Sequence, residues 1–198
     1  LLVMDVDGTL IRQEGIDLLA QEAGVGEKVA EITAQAMNGE LDFAASLQKR
    51  VALLKGLETS IFPKIIEQMD VTPGAKTLIT ELHQRGYKVG LVSGGFHEVI
   101  DPIARSLGID LVRANRLQTF DGRLTGKVLG EIVTPERKKD NLLTWARENH
   151  IPRSQTIAMG DGANDLPMIE TAGIGIAFMA KPIVAERAPY RIETSDLS

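Results

Sequence analysis

Leu1-Leu2-Val3-Met4-Asp5-Val6-Asp7-Gly8-Thr9 opens the chain with four apolar residues that run straight into an acidic turn. An uninterrupted apolar run has no polar side to offer water. It reads as a strand buried on both faces, the pattern of parallel sheets. The same form returns further on. Tyr87 to Val92 runs into Ser93-Gly94-Gly95, and Thr156 to Met159 into Gly160-Asp161-Gly162. Ile174 to Phe178 is another such run, and Asp110 to Arg113 a weaker one.

Helical patterns separate these strands. Thr72-Pro73 predicts an N-cap with proline at the first helical position. Ala75, Leu78, Ile79 and Leu82 then follow the helical period, and Gly86 stops it. Val99, Ile100, Ile103 and Leu107 repeat the pattern up to Gly108, and Thr134-Pro135 opens a helix carrying Leu142, Trp145 and Ala146. Met168, Ile169 and Ala172 run to Gly173. Strand and helix in alternation predict an α/β fold, a doubly wound, Rossmann-like parallel sheet.

One interval breaks the rhythm. Asp5 and Ser93 both close strands, yet a βαβ unit of roughly 30 residues or somewhat more would leave roughly 50–60 residues over between them. The surplus reads as helical. Val29, Ile32, Thr33, Ala36 and Met37 share one face, and Phe43, Leu47, Arg50 and Leu54 share another. The expected division is a core of residues 1–11 and 72–198, with a small helical cap domain, residues 12–71, inserted after the first strand. Asp121-Gly122, between Phe120 and Leu124, predicts a short β-hairpin insertion over Leu117 to Val128.

Composition removes several function classes. At 198 residues the chain reads as one domain, or one with an insertion. It has no cysteine, which excludes a disulfide scaffold, a thiolate nucleophile and cysteine-held metal, and suits a reducing cytoplasm. Lys and Arg number 22 against 27 Asp and Glu, a net charge of −5. An acidic balance makes a poor default binder of nucleic acid or anionic membrane. The uncharged apolar stretch Ala172 to Ala180 is far too short to span a bilayer. The chain begins at Leu1 rather than Met, so its start does not bear on a signal or a further N-terminal domain. Nothing in the composition speaks to oligomeric state.

The chemistry gathers where the strands end, the edge at which open α/β sheets bind ligands. Asp5 and Asp7 lie two apart, so an extended chain projects both to one side. Asp161 and Asp165 add two more carboxylates. Like charges at close range need a cation, and oxygen donors without His or Cys select Mg²⁺ rather than zinc. Ser93-Gly94-Gly95 offers a hydroxyl and open backbone N–H groups before a helix, a cradle for phosphate. Lys138 shares a helical face with Leu142 and Trp145, so it meets an anion or snorkels. Arg50 interrupts an apolar stripe in the same way. Neither a P-loop nor a G-x-G-x-x-G motif is present. His83, His97 and His150 have no ligand-spaced partners.

These four clusters resemble the four motifs of haloacid dehalogenase superfamily phosphatases: Asp5-Val6-Asp7-Gly8-Thr9, Ser93, Lys138, and Gly160 to Asp165. Glu14, Glu22 to Val25, Leu47 to Lys55, Val92 to Phe96, Ala114 to Leu117, Leu124 to Gly126 and Ala180 to Pro182 are similar to the phosphoserine phosphatases of that superfamily. One position departs: Gly8 stands where phosphoserine phosphatases often carry Ser.

The resemblance implies roles. Asp5 is the expected nucleophile, forming an aspartyl phosphate, and Asp7 the expected acid and base. One Mg²⁺ per site is expected on Asp5, the Asp7 carbonyl and Asp161, with Asp165 in support. Ser93, the Gly94 N–H and Lys138 bind phosphoryl oxygens, and Asn164 orients the substrate. In the cap, Glu14 meets an ammonium group and Arg50 a carboxylate, with Met37 and Phe43 forming an apolar lid. The implied activity is release of serine from O-phosphoserine, in serine biosynthesis, with this small phosphomonoester as the partner. The rival expectations are a phosphatase or phosphotransferase for another small phosphomonoester such as phosphohomoserine, and a non-catalytic phospho-acceptor module. A phospho-acceptor has no use for an acid beside the nucleophile or for a cap.

Overall fold

Alternate residues of β1 (Leu2–Met4) part to opposite sides of a sheet, and both sides are apolar. Leu2 and Met4 enter one buried cluster, while Leu1 and Val3 enter another. The continuous run at the start of the chain therefore fills two cores at once, as a strand covered on both faces must.

The computed structural model describes residues 1–198. After β1 come four helices, α1 (Gly15–Glu22), α2 (Gly26–Met37), α3 (Phe43–Ala52) and α4 (Phe62–Glu67). The chain continues through α5 (Ala75–Gln84), β2 (Val89–Phe96), α6 (His97–Leu107), β3 (Leu111–Phe120) and β4 (Arg123–Leu129). It ends with α7 (Pro135–Glu148), β5 (Ile157–Gly160), α8 (Leu166–Thr171), β6 (Ile174–Phe178), α9 (Pro182–Arg187) and β7 (Tyr190–Ile192). The sheet order is β4-β3-β2-β1-β5-β6-β7, parallel throughout except for the antiparallel β3–β4 pair. This is the doubly wound sheet that the sequence predicts. α5 and α6 cover one face, with Ile79, Ile100 and Ile103 inward; α7 and α8 cover the other, with Leu142, Trp145 and Met168.

A third apolar cluster joins the inserted helices to the rest of the chain. Leu19, Val29, Leu47, Val51 and Ile65 pack there with Phe96 and Val99 of the β2–α6 corner and with Leu117 and Leu124 of the hairpin. The hairpin turn, Asp121-Gly122, has φ 48° and 70°, the two left-handed residues of a type I′ turn. The hairpin is an outward extension of β3, which also pairs with β2, and it forms a shelf under the inserted helices. Gly56 N–H donates to the Leu124 carbonyl (2.8 Å) and the Arg123 guanidinium to the Gly56 carbonyl (2.9 Å).

The two connections into residues 12–71 run side by side. Ile11 pairs antiparallel with Val71, and Arg12 N–H donates to the Asp70 carbonyl (3.1 Å). Thr72 does not cap α5. Its hydroxyl donates instead to the Thr9 carbonyl (2.7 Å), and the helix begins after Gly74 at φ 79°. The tertiary bond to the loop after β1 prevails over local capping. α2 keeps its predicted face, yet only Val29 is buried on it. Thr33, Ala36 and Met37 of that face line a cavity rather than a core.

Candidate active site

β2, β1 and β5 are adjacent and parallel, and the chain leaves β1 first to one side and later to the other. Ligands bind at the carboxyl ends of the strands at such a switch point. Asp5 directly follows β1, Asp161 directly follows β5, and Ser93 to Gly95 form the end of β2, where the pairing with β3 slips register. A cavity of about 710 Å³ opens there, between these strand ends and the inserted helices.

At its base lies a buried charge cluster. Lys138 reaches from α7, opened by the Thr134 side-chain cap, and is wholly buried. Its Nζ donates to Asp5 Oδ1 (2.6 Å) and Asp165 Oδ1 (2.7 Å). A lysine ammonium has three donors, so one remains. Burial by itself would lower the Lys138 pKa, but Asp165 and Asp5 hold it above the ordinary lysine value. One carboxylate oxygen each from Asp5, Asp161 and Asp165 lie within 4.8 Å of one another. Burial, then Asp165, push Asp5 well up against the opposing pull of Lys138, and the same two causes bring Asp161 to about 6. One ammonium thus faces an excess of carboxylate. An all-oxygen donor set with uncompensated negative charge fits a hard divalent cation.

Asp7 belongs to a second network. The chain turns at Val6, so the two aspartates do not simply project from one extended strand. Asp7 Oδ1 accepts from the Gly15 N–H (2.8 Å) at the start of α1, and Oδ2 from the Ser93 hydroxyl (3.2 Å). The Gly95 N–H donates in turn to Ser93 Oγ (2.8 Å). Burial raises the Asp7 carboxyl above its ordinary value despite these bonds. A carboxyl that holds a proton more tightly is suited to give one up to a leaving group. Gly8, beside it, has φ 75°, and a Cβ there would sit 2.8 Å from Asp161 Oδ2. A side chain at this position would strain the turn or displace the Asp161 carboxylate.

The inserted helices form the opposite wall. Glu14, Met37, Phe43 and Arg50 line it, facing Asp5, Asp7, Gly94 and Asn164 across the cavity. The Phe43 ring lies so close to Gly94 that a Cβ on Gly94 would come within 2.8 Å of its Cζ. Met37 is exposed at the mouth. Glu14 occupies the N-cap position of α1 without a side-chain cap bond. Although its outer part meets solvent, desolvation at the wall, then Asp7, Asp161 and Asp17, raise its carboxyl to about 7. Arg50 is half-buried. Burial lowers its pKa, Asp17 and Glu14 oppose that, and a guanidinium remains charged in either case. The fold therefore gathers every expected site residue around one cavity or at its base.

Three residues at the site have no role assigned from the sequence, although Asn115 and Lys181 stand in stretches that carry the family resemblance. Asp17 and Lys181 also line the cavity. Asn115 is buried behind the cradle, where its Nδ2 donates to the Gly94 carbonyl and its Oδ1 accepts from the Val133 N–H (both 2.8 Å). A single amide in an apolar strand has no periodic signature. Two of the three histidines bind elsewhere: His83 to Asp110 and His97 to Asp101.

The uncompensated acids make a testable statement about stability. Asp161 lies at about 6 in the folded state against an ordinary 3.8, and Asp5 is raised as well. Between those values the folded protein holds more protons than the unfolded chain, so stability falls as pH rises through that window. Metal-free protein is expected to melt at a higher temperature at pH 5 than at pH 7, and Mg²⁺ to raise the pH 7 value selectively. Thermal melting in chelator and in Mg²⁺ at both pH values checks this; the opposite slope would mean that the cluster is already neutralised.

A sheet with this switch point, acid cluster and buried lysine defines a class. The chain matches the haloacid dehalogenase-like hydrolase family over residues 2–170, and it belongs to that family. It is 64% identical to the phosphoserine phosphatase of Streptococcus thermophilus, over 100% of this chain and 92% of that protein. Two solved structures superpose with a TM-score of 0.92 at 46% identity, covering 98% of this chain and 93% of theirs. One is a phospho-aspartyl intermediate analogue of phosphoserine phosphatase, the other a substrate-bound phosphoserine phosphatase complex.

Proposed function

We propose that this chain is a phosphoserine phosphatase that hydrolyses O-phosphoserine to serine and phosphate through an aspartyl phosphate on Asp5. The observation that carries the substrate is that Glu14 and Arg50 line the same cavity as Asp5 and Asp7. Opposite charges for an ammonium and a carboxylate thus stand within one small ligand's reach of the nucleophile.

The residues divide the work. Lys138 occupies Asp5 Oδ1, which leaves Oδ2 to attack phosphorus in line. As the ester P–O bond breaks, Asp7 gives its proton to the departing serine oxygen. Asp7 then takes a proton from a water that attacks the same phosphorus. The bond to Asp5 breaks, and phosphate leaves with both carboxyls restored. With substrate bound, the Ser93 hydroxyl turns from Asp7 to a phosphoryl oxygen, the Gly94 N–H and the third Lys138 donor hold the others, and Asn164 orients the group. Asp5, the Asp7 carbonyl and Asp161 would hold one Mg²⁺, with Asp165 keeping the acids and Lys138 in register. When bound, it supplies neutralising charge for the phosphoryl oxygens and for Asp5.

Residues 12–71 serve as a cap on the core of residues 1–11 and 72–198. The paired connections at Ile11–Val71 support a hinge, and Phe43 and Met37 support a lid over Gly94. Sequestering the aspartyl phosphate keeps out water other than the one Asp7 activates. We place the reaction in the cytoplasm, which a cysteine-free chain suits. No helix is long and apolar enough to cross a membrane.

Substrate choice is the test. The core grips only phosphate and cation, so selectivity rests on the cap. Arg50→Ala is expected to lower kcat/KM for O-phosphoserine roughly ten- to a hundredfold, the worth of one charge-assisted contact. O-phosphoethanolamine, which has no carboxylate, is expected to keep its wild-type value. Equal losses on both substrates would assign Arg50 to the fold and remove the support for phosphoserine.

A further inference from the structure

α3 presents Phe43, Ser46, Leu47 and Arg50 at i, i+3, i+4 and i+7, a single helical face, and all four line the cavity. Three of them have evident partners. Phe43 lies against Gly94, Leu47 joins the apolar cluster with Val51 and Phe96, and Arg50 folds back so that its Nε reaches the Ser46 carbonyl (3.4 Å). Ser46 is the exception. It is 1% exposed, and its hydroxyl has no hydrogen-bond partner.

A buried serine in a helix ordinarily returns its hydroxyl to the carbonyl four residues back. Here that carbonyl, of Asp42, accepts the Ser46 backbone N–H (3.0 Å), and the hydroxyl makes no bond to it. A buried polar group left unpaired is a cost to the free protein that a group arriving from outside can recover. The arrangement says which group. Because Arg50 spends Nε on the Ser46 carbonyl, its two terminal nitrogens remain as a fork for a carboxylate beside Ser46. A carboxylate has about four acceptor sites, so two from the fork leave room for a hydroxyl donor. The ammonium group has its own acceptor in Glu14.

We infer that Ser46 is a specificity-determining residue whose Oγ–H donates to the substrate carboxylate paired with Arg50. This rests on the reading of O-phosphoserine as substrate.

Steady-state kinetics of Ser46→Ala on O-phosphoserine and on O-phosphoethanolamine test it, with thermal melting alongside. The expected result is a fall in kcat/KM for O-phosphoserine of roughly ten- to a hundredfold, carried mainly by KM. O-phosphoethanolamine stays at its wild-type value, and the melting temperature is equal to or above wild type because the unpaired hydroxyl is gone. Unchanged kinetics on both substrates overturn the inference. Equal losses on both overturn it too, since they place Ser46 in the fold. Should Ser46→Ala fail to fold, Ser46→Cys keeps the shape, weakens the donor, and is read in the same way. The underlying reading has its own control. Wild-type protein with no preference for O-phosphoserine defeats both readings, whereas a wild-type preference that survives Ser46→Ala defeats only this one.

Discussion

Replacing Asp5 by asparagine is expected to reduce phosphate release on the order of a millionfold, the scale seen when a covalent nucleophile is removed. The amide oxygen can still accept from Lys138, so the buried pair keeps its geometry. The fold should not suffer. Asp5 is held well above its ordinary pKa by burial and by Asp165, so a neutral side chain there relieves repulsion. In the absence of metal the variant should melt at or above the wild-type temperature at pH 7. Acid-quenched wild-type protein given labelled O-phosphoserine should retain label, and the variant none. A folded Asp5→Asn protein that still releases phosphate at an appreciable rate would mean that another residue attacks phosphorus.

Lys138→Met is expected to remove both activity and much of the stability. Lys138 and Asp165 are wholly buried and Asp5 nearly so, and the lysine is the only cation bonded to either carboxylate. Removing one partner of a buried pair leaves uncompensated charge, typically at a cost of about 3–5 kcal/mol. Methionine fills similar volume, so the loss reports charge rather than a cavity. Denaturant unfolding at pH 7 measures it. Lys138→Met/Asp165→Asn should regain part of the stability, because one stranded carboxylate is gone, yet recover no phosphate release. A single variant as stable as wild type would show that the cluster is not desolvated. A stable double variant with activity would show that Lys138 has no part in binding the phosphoryl group.

Arg50 could have paired with a surface acid such as Glu58, but Glu58 bonds to Arg123 of the hairpin. Glu14 could have served as a helix cap, and it does stand at that position, but its side chain makes no cap bond. Both charges are left for a ligand. The phospho-acceptor alternative fits poorly with Asp7, whose hydrogen bonds tie it to both Gly15 of α1 and Ser93 of the cradle.

Much of this was legible in the chain itself. Continuous apolar runs marked β1, β2, β5 and β6 because strands covered on both sides have no polar face to interrupt them. Lys138 read as inward because helical periodicity carries it on the stripe of Leu142 and Trp145, and all three are buried. Periodicity and strand ends are local properties, and local properties survive in a sequence. β7 escaped because its three residues are largely exposed at the sheet edge, where no pattern is required. Thr72 misled for the opposite reason: its local signal was sound, and a distant carbonyl at Thr9 outcompeted it.

The rest is tertiary. Local pattern was enough for the sheet, the inserted helices, and which acids, lysine and glycines stand at the strand ends. It could not say that Asp7 answers to Gly15 and Ser93 while Asp5 answers to Lys138, since hydrogen bonds across the chain leave no spacing to read. Nor could it say what Ser46 or Asn115 would meet. A polar side chain acquires meaning only from what surrounds it, and burial without a partner, or between two backbone groups, exists only once distant segments have packed together.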